Sequence, residues 1–181
     1  MKIACIGHRD INDVWQRFTA NIGYTLVKRG HAIVSGNARG ADSSFARGGN
    51  KFDPTKITLY CPGKKNNPQY IVEGNVIHVE VLPSWSSEAC KYRKNYFTYT
   101  EYVQRLFDRN VGIIWNADAV IAIPNYLKID GGGTGHALAV ARAKSMPVLD
   151  ISKYDPTDDK SIFTVADWAD KVANVNFSKK K

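Results

Sequence analysis

The sequence predicts an α/β fold, a single doubly wound domain built on a mostly parallel sheet. Three observations carry this prediction. Short apolar runs alternate with longer runs of helical periodicity along the chain. The apolar runs are near-continuous, as strands covered on both faces must be. Polar, glycine-rich turns follow several of the runs, where strand would pass into helix.

Taken in order, Lys2–Gly7 reads as the first strand. Asn12–Arg29 reads as a helix, with Val14, Trp15, Phe18, Ile22, Leu26 and Val27 at helical spacing and Gly30 closing it. Ala32–Ser35 is a short buried strand, and a second helix begins over Asp42–Arg47. Lys56–Cys61 is the third strand, stopped by Pro62-Gly63, and Val76–Val81 alternates as a fourth. Thr98–Trp115 reads as a long helix, Ala119–Ile123 as a strand, Thr134–Lys144 as a helix and Pro147–Ile151 as the last strand. Ile162–Val172 closes the pattern as a helix, with Trp168 packed on the body. Pro62–Gly74 and Pro83–Tyr96 break the rhythm and read as loops. No repeat or linker divides the chain, so residues 1–175 form one domain followed by a basic tail over 176–181.

Composition narrows the class. The 181 residues are 44% hydrophobic and 23% charged, within the range of globular proteins. No apolar stretch is long enough to span a membrane. The first apolar run is too short for a signal peptide. Three cysteines without metal-type spacing suggest reduced thiols, so a cytoplasmic location is expected, with no metal and no cofactor. The net charge is +8, and nearly all of the excess lies in residues 1–150. A basic body favours anionic partners, although solubility alone also accounts for it.

Four polar clusters fall at strand ends, where open parallel sheets bind ligands. They are Gly7-His8-Arg9-Asp10, then Ser35 to Asp42, then Pro62-Gly63-Lys64-Lys65, and Gly131-Gly132-Gly133-Thr134-Gly135-His136. The last opens a helix through glycines. Such a start presents backbone N–H groups to an anion, and Thr134 adds a hydroxyl there. Arg9 and Arg39 offer forked donors for phosphate. Each cluster also has a plainer reading. Gly36 and Gly40 serve a tight turn, Asp10 and Asp42 cap helices, and His8 and His136 form structural hydrogen bonds. The expected binding set is Gly7, His8, Arg9, Ser35, Gly36, Asn37, Arg39, Gly40, Asp42, Arg109, Gly132, Gly133, Thr134, Gly135 and His136. No P-loop, HExxH or nucleophile elbow is present. The acidic residue that would read a dinucleotide ribose is also missing, which points to a mononucleotide or related phosphoribosyl ligand.

These residues resemble a known superfamily. Ser35-Gly36-Asn37-Ala38-Arg39-Gly40-Ala41-Asp42 is similar to the SGxARGxD signature of the SLOG superfamily of Rossmann-like proteins. That superfamily includes the DNA-processing protein DprA, the Lonely Guy phosphoribohydrolases and the YspA/YpsA-like proteins. Gly7-His8-Arg9, Arg109-Asn110 with Ala117-Asp118, and Gly132-Gly133-Thr134-Gly135-His136 resemble further elements of the last group, in its order. The resemblance implies a Rossmann-like fold that senses or sequesters a nucleotide-derived ligand, and possible homo-oligomers. Lonely Guy enzymes pair an arginine with a glutamate. Arg109 matches the arginine, but Ala137 stands at the glutamate position.

Three functions follow as expectations. The first is binding of a nucleotide or phosphoribosyl ligand, with Tyr126 and Lys128 in a lid. The second is a nucleoside-monophosphate N-glycosidase, with Arg109, His136 and Asp42 as catalytic candidates. The third is DprA-like binding of single-stranded DNA through Lys64, Lys65, Lys91, Arg93 and Lys94, interleaved with Trp85, Tyr92 and Tyr96.

Overall fold

Six strands form one sheet in the order β4-β3-β2-β1-β5-β6, and every neighbouring pair is parallel. They are β1 (Lys2–Gly7), β2 (Ala32–Ser35), β3 (Ile57–Pro62), β4 (Asn75–Val79), β5 (Ala119–Ile123) and β6 (Val148–Asp150). The computed structural model describes residues 1–62, 75–79, 83–127 and 131–178. The helices are α1 (Asp13–Lys28), α2 (Ala41–Asn50), α3 (Pro83–Ala89), α4 (Glu101–Trp115), α5 (Gly132–Ala143) and α6 (Asp159–Ser178). Lys64, Lys65, Asn66, Asn67, Lys128 and the lysines at 179–181 lie outside the described residues. No helix among those described is long and apolar enough to cross a membrane.

Side chains alternate across the pleat and split the interior into two cores. Ile3, Cys5, Ile121 and Ile123 face α1, α2 and α6, where Phe18, Ile22, Phe45 and Val165 pack. Ala4, Ile6, Val120 and Ala122 face the other way, onto Phe107, Val111, Leu138 and Val140 of α4 and α5. All of β5 is buried, as its unbroken apolar run requires.

The helix ends follow local chemistry. Asn12 caps α1, its side chain accepting from the Trp15 N–H at 3.1 Å. The expected cap Asp10 instead pairs with Arg39 at 2.9 Å. At the other end the N–H of Gly30 meets the Val27 carbonyl and that of His31 the Leu26 carbonyl, a Schellman closure. α6 is held to the strand side by Arg29, which bonds Asp167 at 2.6 Å and Asp170 at 2.7 Å, and by His31, 2.9 Å from Asp170.

Two expectations are corrected. The segment Pro83–Tyr96 is not a loop: it holds α3 and a short 3-10 turn over Cys90–Tyr92, fixed by Trp85 lying against Gly112 and Tyr60. The long helix expected from Thr98 starts at Glu101, because Tyr96–Thr98 forms a separate 3-10 turn and Thr100 is extended.

Candidate functional site

The strand order reverses beside β1: the chain runs outward through β2, β3 and β4, then returns to place β5 on the other flank. A cleft of 260 Å³ opens at the carboxyl ends of β1 and β5, at this switch point. Its floor and walls come from four places, the first being Asp42 of α2. Ile6 to Asp10 follow β1, Val103, Leu106, Phe107, Arg109 and Asn110 come from α4, and Asn125 with Gly131 to Thr134 follow β5.

The start of α5 forms one wall. Gly131 takes a left-handed conformation, φ 65°, and offers no side-chain cap to the helix. First-turn amides have no carbonyl partner within their own helix. Those of Gly133 and Thr134 belong to residues lining the cleft. The Asn110 side chain fixes this wall, donating from Nδ2 to the Gly133 carbonyl at 3.0 Å and accepting from Arg109 Nη2 at 3.2 Å.

Arg109 is buried and donates from Nη1 to the Gly36 carbonyl at 2.9 Å. A Cβ on Gly36 would lie 2.6 Å from the Arg109 guanidinium carbon, so glycine at this position leaves room for the arginine. Burial draws its pKa below the ordinary value, opposed by Asp42. Its Nε, buried, has no hydrogen-bond partner among the described residues.

Asp42 does not cap α2; Gly40 stands at that position. Its carboxylate accepts from the Gly7 N–H at 2.9 Å and from the N–H groups of Ala38 and Gly36. It therefore ties the end of β1 to the turn after β2. Burial raises its pKa, and Arg109 and these donors oppose the rise.

Of the expected binding residues, the fold brings Gly7, His8, Arg9, Asp42, Arg109, Gly132, Gly133 and Thr134 to the cleft. Others sit behind it. Ser35 Oγ donates to the Cys5 carbonyl at 2.7 Å, Asn37 shapes the turn at φ 52°, and Gly40 passes under the Arg9 backbone. Arg39 is exposed at the rim on Asp10, and Gly135 lies beneath Gly131. His136 points away, with Nε2 3.0 Å from the Ala89 carbonyl and its ring against Phe107 and Tyr92. Asn110, Val103, Leu106 and Asn125 also line the cleft but stand outside the expected binding set; of these, Asn110 carried a sequence signal, as the partner of Arg109 in the Arg109-Asn110 element of the resemblance. Tyr126 bonds Asp150 at the end of β6, which fastens the described part of the expected lid to that strand.

Burial holds the His136 pKa down, to about 4. A base depressed in the fold adds stability above its ordinary pKa and loses it as pH falls through the folded value. Between pH 7 and pH 4 the wild type is expected to lose about 3 kcal/mol more than His136→Gln, at 1.36 kcal/mol per pKa unit. Urea unfolding at the two pH values measures this.

The basic segment expected to bind DNA is differently arranged. Trp85 packs on Tyr60, Tyr96 is buried with its hydroxyl on Asp108 at 2.6 Å, and Tyr92 bonds Glu88 at 3.0 Å. Lys91 pairs with Glu88, and Arg93 lies over the Phe107 and Tyr99 rings. These aromatics are core anchors; Lys94 stays exposed.

Residues 1–66 match the family model of DNA recombination-mediator protein A. No curated protein matches in sequence. Among solved structures, the chain is similar to DNA processing protein A from Helicobacter pylori, at 19% identity and TM-score 0.61, covering 94% of this chain and 80% of that one. It is also similar to the structural-genomics protein TM1055, at 16% identity and TM-score 0.57, covering 84% of this chain and 74% of that one.

Proposed function

We propose that this chain is a SLOG-type Rossmann-like protein that holds a nucleotidyl phosphate at the start of α5 and leaves the nucleotide uncleaved, a reading supported by the family match over residues 1–66 and by the shared fold. The observation that carries this reading is the cleft at the β1–β5 switch point, lined both by a glycine-built helix start without a side-chain cap and by Arg9. A helix N-terminus favours a dianion through its amides and its dipole, and a nearby guanidinium adds forked bonds. A sensor or a sequestering protein fits this chemistry.

Hydrolysis of an N-glycosidic bond needs an acid or base at the anomeric centre. Ala137, which lines the cleft, has no such group. Asp42 is committed to three backbone amides, and His136 faces the Ala89 carbonyl. Arg109, held on Gly36 and Asn110, serves as a fixed positive charge beneath the ligand.

A second reading places the phosphate in single-stranded DNA. It is favoured by the match of residues 1–66 to the recombination-mediator model and by the likeness to the Helicobacter protein, which was solved for its single-stranded DNA binding mode. Titration with nucleoside 5′-monophosphates, the matching nucleosides and a single-stranded oligonucleotide separates the readings. The monophosphate is expected to bind at least roughly 10-fold more tightly than the nucleoside, which is about 1.4 kcal/mol. No free base is expected after incubation. Release of base would contradict uncleaved binding. Salt-steep oligonucleotide binding without monophosphate binding would favour the second reading.

A further inference from the structure

The cleft is small: 260 Å³ lies below the range of about 300–1,000 Å³ usual for small-molecule sites. A nucleotide seated with its phosphate at α5 therefore extends beyond it. The helix that would meet the extension is α4. Asn110 marks the level of the α5 start through its bond to the Gly133 carbonyl. One turn earlier on α4 stands Leu106, and about one turn beyond that stand Val103 and Tyr102, at 1.5 Å of rise per residue. Val103 and Leu106 line the cleft. Tyr102 is 60% exposed, so its ring has surface free to meet a ligand. It shares a helical stripe with Leu106 and Arg109, at positions i, i+4 and i+7 of α4.

We infer that Tyr102 is the base platform of this site: the nucleobase of the bound nucleotidyl unit stacks on its ring at the cleft mouth, above the aliphatic strip of Val103 and Leu106. This rests on the phosphate reading given above. Among the described residues, Phe107 is the aromatic that lines the cleft, and Tyr102 stands just outside it, next to the lining residue Val103. Its ring already packs against His136 and Tyr99 and under Arg93. Tyr126, beside the lining residue Asn125, is exposed as well, but its hydroxyl bonds Asp150; Tyr102 keeps an exposed ring, and no described hydrogen bond fixes its hydroxyl. Stacking on one aromatic is tolerant of base identity, so the platform selects for the presence of a base rather than for one base.

The test uses a nucleoside 5′-monophosphate, ribose 5-phosphate and a short single-stranded oligonucleotide, titrated into the wild type, Tyr102→Ala and Tyr102→Phe. The wild type is expected to bind the monophosphate about 10-fold more tightly than ribose 5-phosphate, a difference typical of one stacked base. Tyr102→Ala erases that preference and leaves ribose 5-phosphate affinity unchanged, while Tyr102→Phe keeps it. The same loss with the oligonucleotide assigns the platform to a base within a strand; a loss confined to the monophosphate assigns it to a free nucleotide. Unchanged affinities in Tyr102→Ala overturn the inference, as does equal weakening of both small ligands. Should neither small ligand nor the oligonucleotide bind the wild type, the phosphate reading fails and the platform with it.

Discussion

Gly133→Asp is expected to abolish nucleotide binding while the protein stays folded. A Cβ at this position meets nothing nearer than Asn110 Nδ2, at 3.8 Å, so the side chain has room. An aspartate in the first turn of a helix is also favourable in the ligand-free protein, by about 0.3–1 kcal/mol against the helix dipole. The same carboxylate stands where the phosphate would sit. Two unit charges 4 Å apart repel by about 4 kcal/mol at an effective dielectric of 20. The expected loss of affinity is at least roughly 100-fold, or about 2.7 kcal/mol. Calorimetric titration with a nucleoside 5′-monophosphate gives the affinity, and thermal unfolding without ligand gives the stability. A variant that binds as the wild type does would place the phosphate elsewhere.

Gly48→Ala is expected to have the largest effect on the fold. α1 and α2 cross with their backbones nearly touching. A Cβ at Gly48 would lie 1.8 Å from the Ala20 carbonyl oxygen, and one at Gly23 would lie 2.1 Å from that of Phe45. Neither obstacle is a side chain able to rotate away, so the helices must part. Overpacking of this kind costs about 3 kcal/mol or more, a large share of a typical stability of about 5–15 kcal/mol. Parting α2 from α1 also moves Asp42 from the Gly7 amide, which loosens the cleft from behind. Urea unfolding of Gly48→Ala beside Gly133→Ala provides the contrast. The second, in open space, is expected to stay within about 1 kcal/mol of wild type. Equal stabilities for the two variants would refute the packing argument.

Much of this architecture is legible in the sequence, for identifiable reasons. β1, β2 and β5 begin and end where apolar runs meet glycine, asparagine or proline turns, and the structure keeps those bounds. The glycine start of α5 was legible too, although the helix begins at Gly132, ahead of Thr134. α3 was hidden because seven residues span barely two turns, and its anchor, Trp85 against Gly112, is a contact between distant positions. Asp42 looked like a helix cap because caps are local; its partner Gly7 is 35 residues away. His136 shares the glycine run with Thr134, yet two helical residues turn it about 200° around the axis. It therefore enters the aromatic layer instead of the cleft. Asn110 reaches Gly133 only because α4 packs beside α5, which no local pattern announces.

The central claim is the position of the phosphate. Backbone amide resonances followed during titration with a nucleoside 5′-monophosphate test it most directly. The largest shifts are expected at Gly133 and Thr134, with smaller ones at Gly7 to Arg9. The matching nucleoside is expected to leave the α5 amides nearly still. Saturable shifts confined to residues away from the β1–β5 cleft, or equal α5 shifts with the nucleoside, would contradict it.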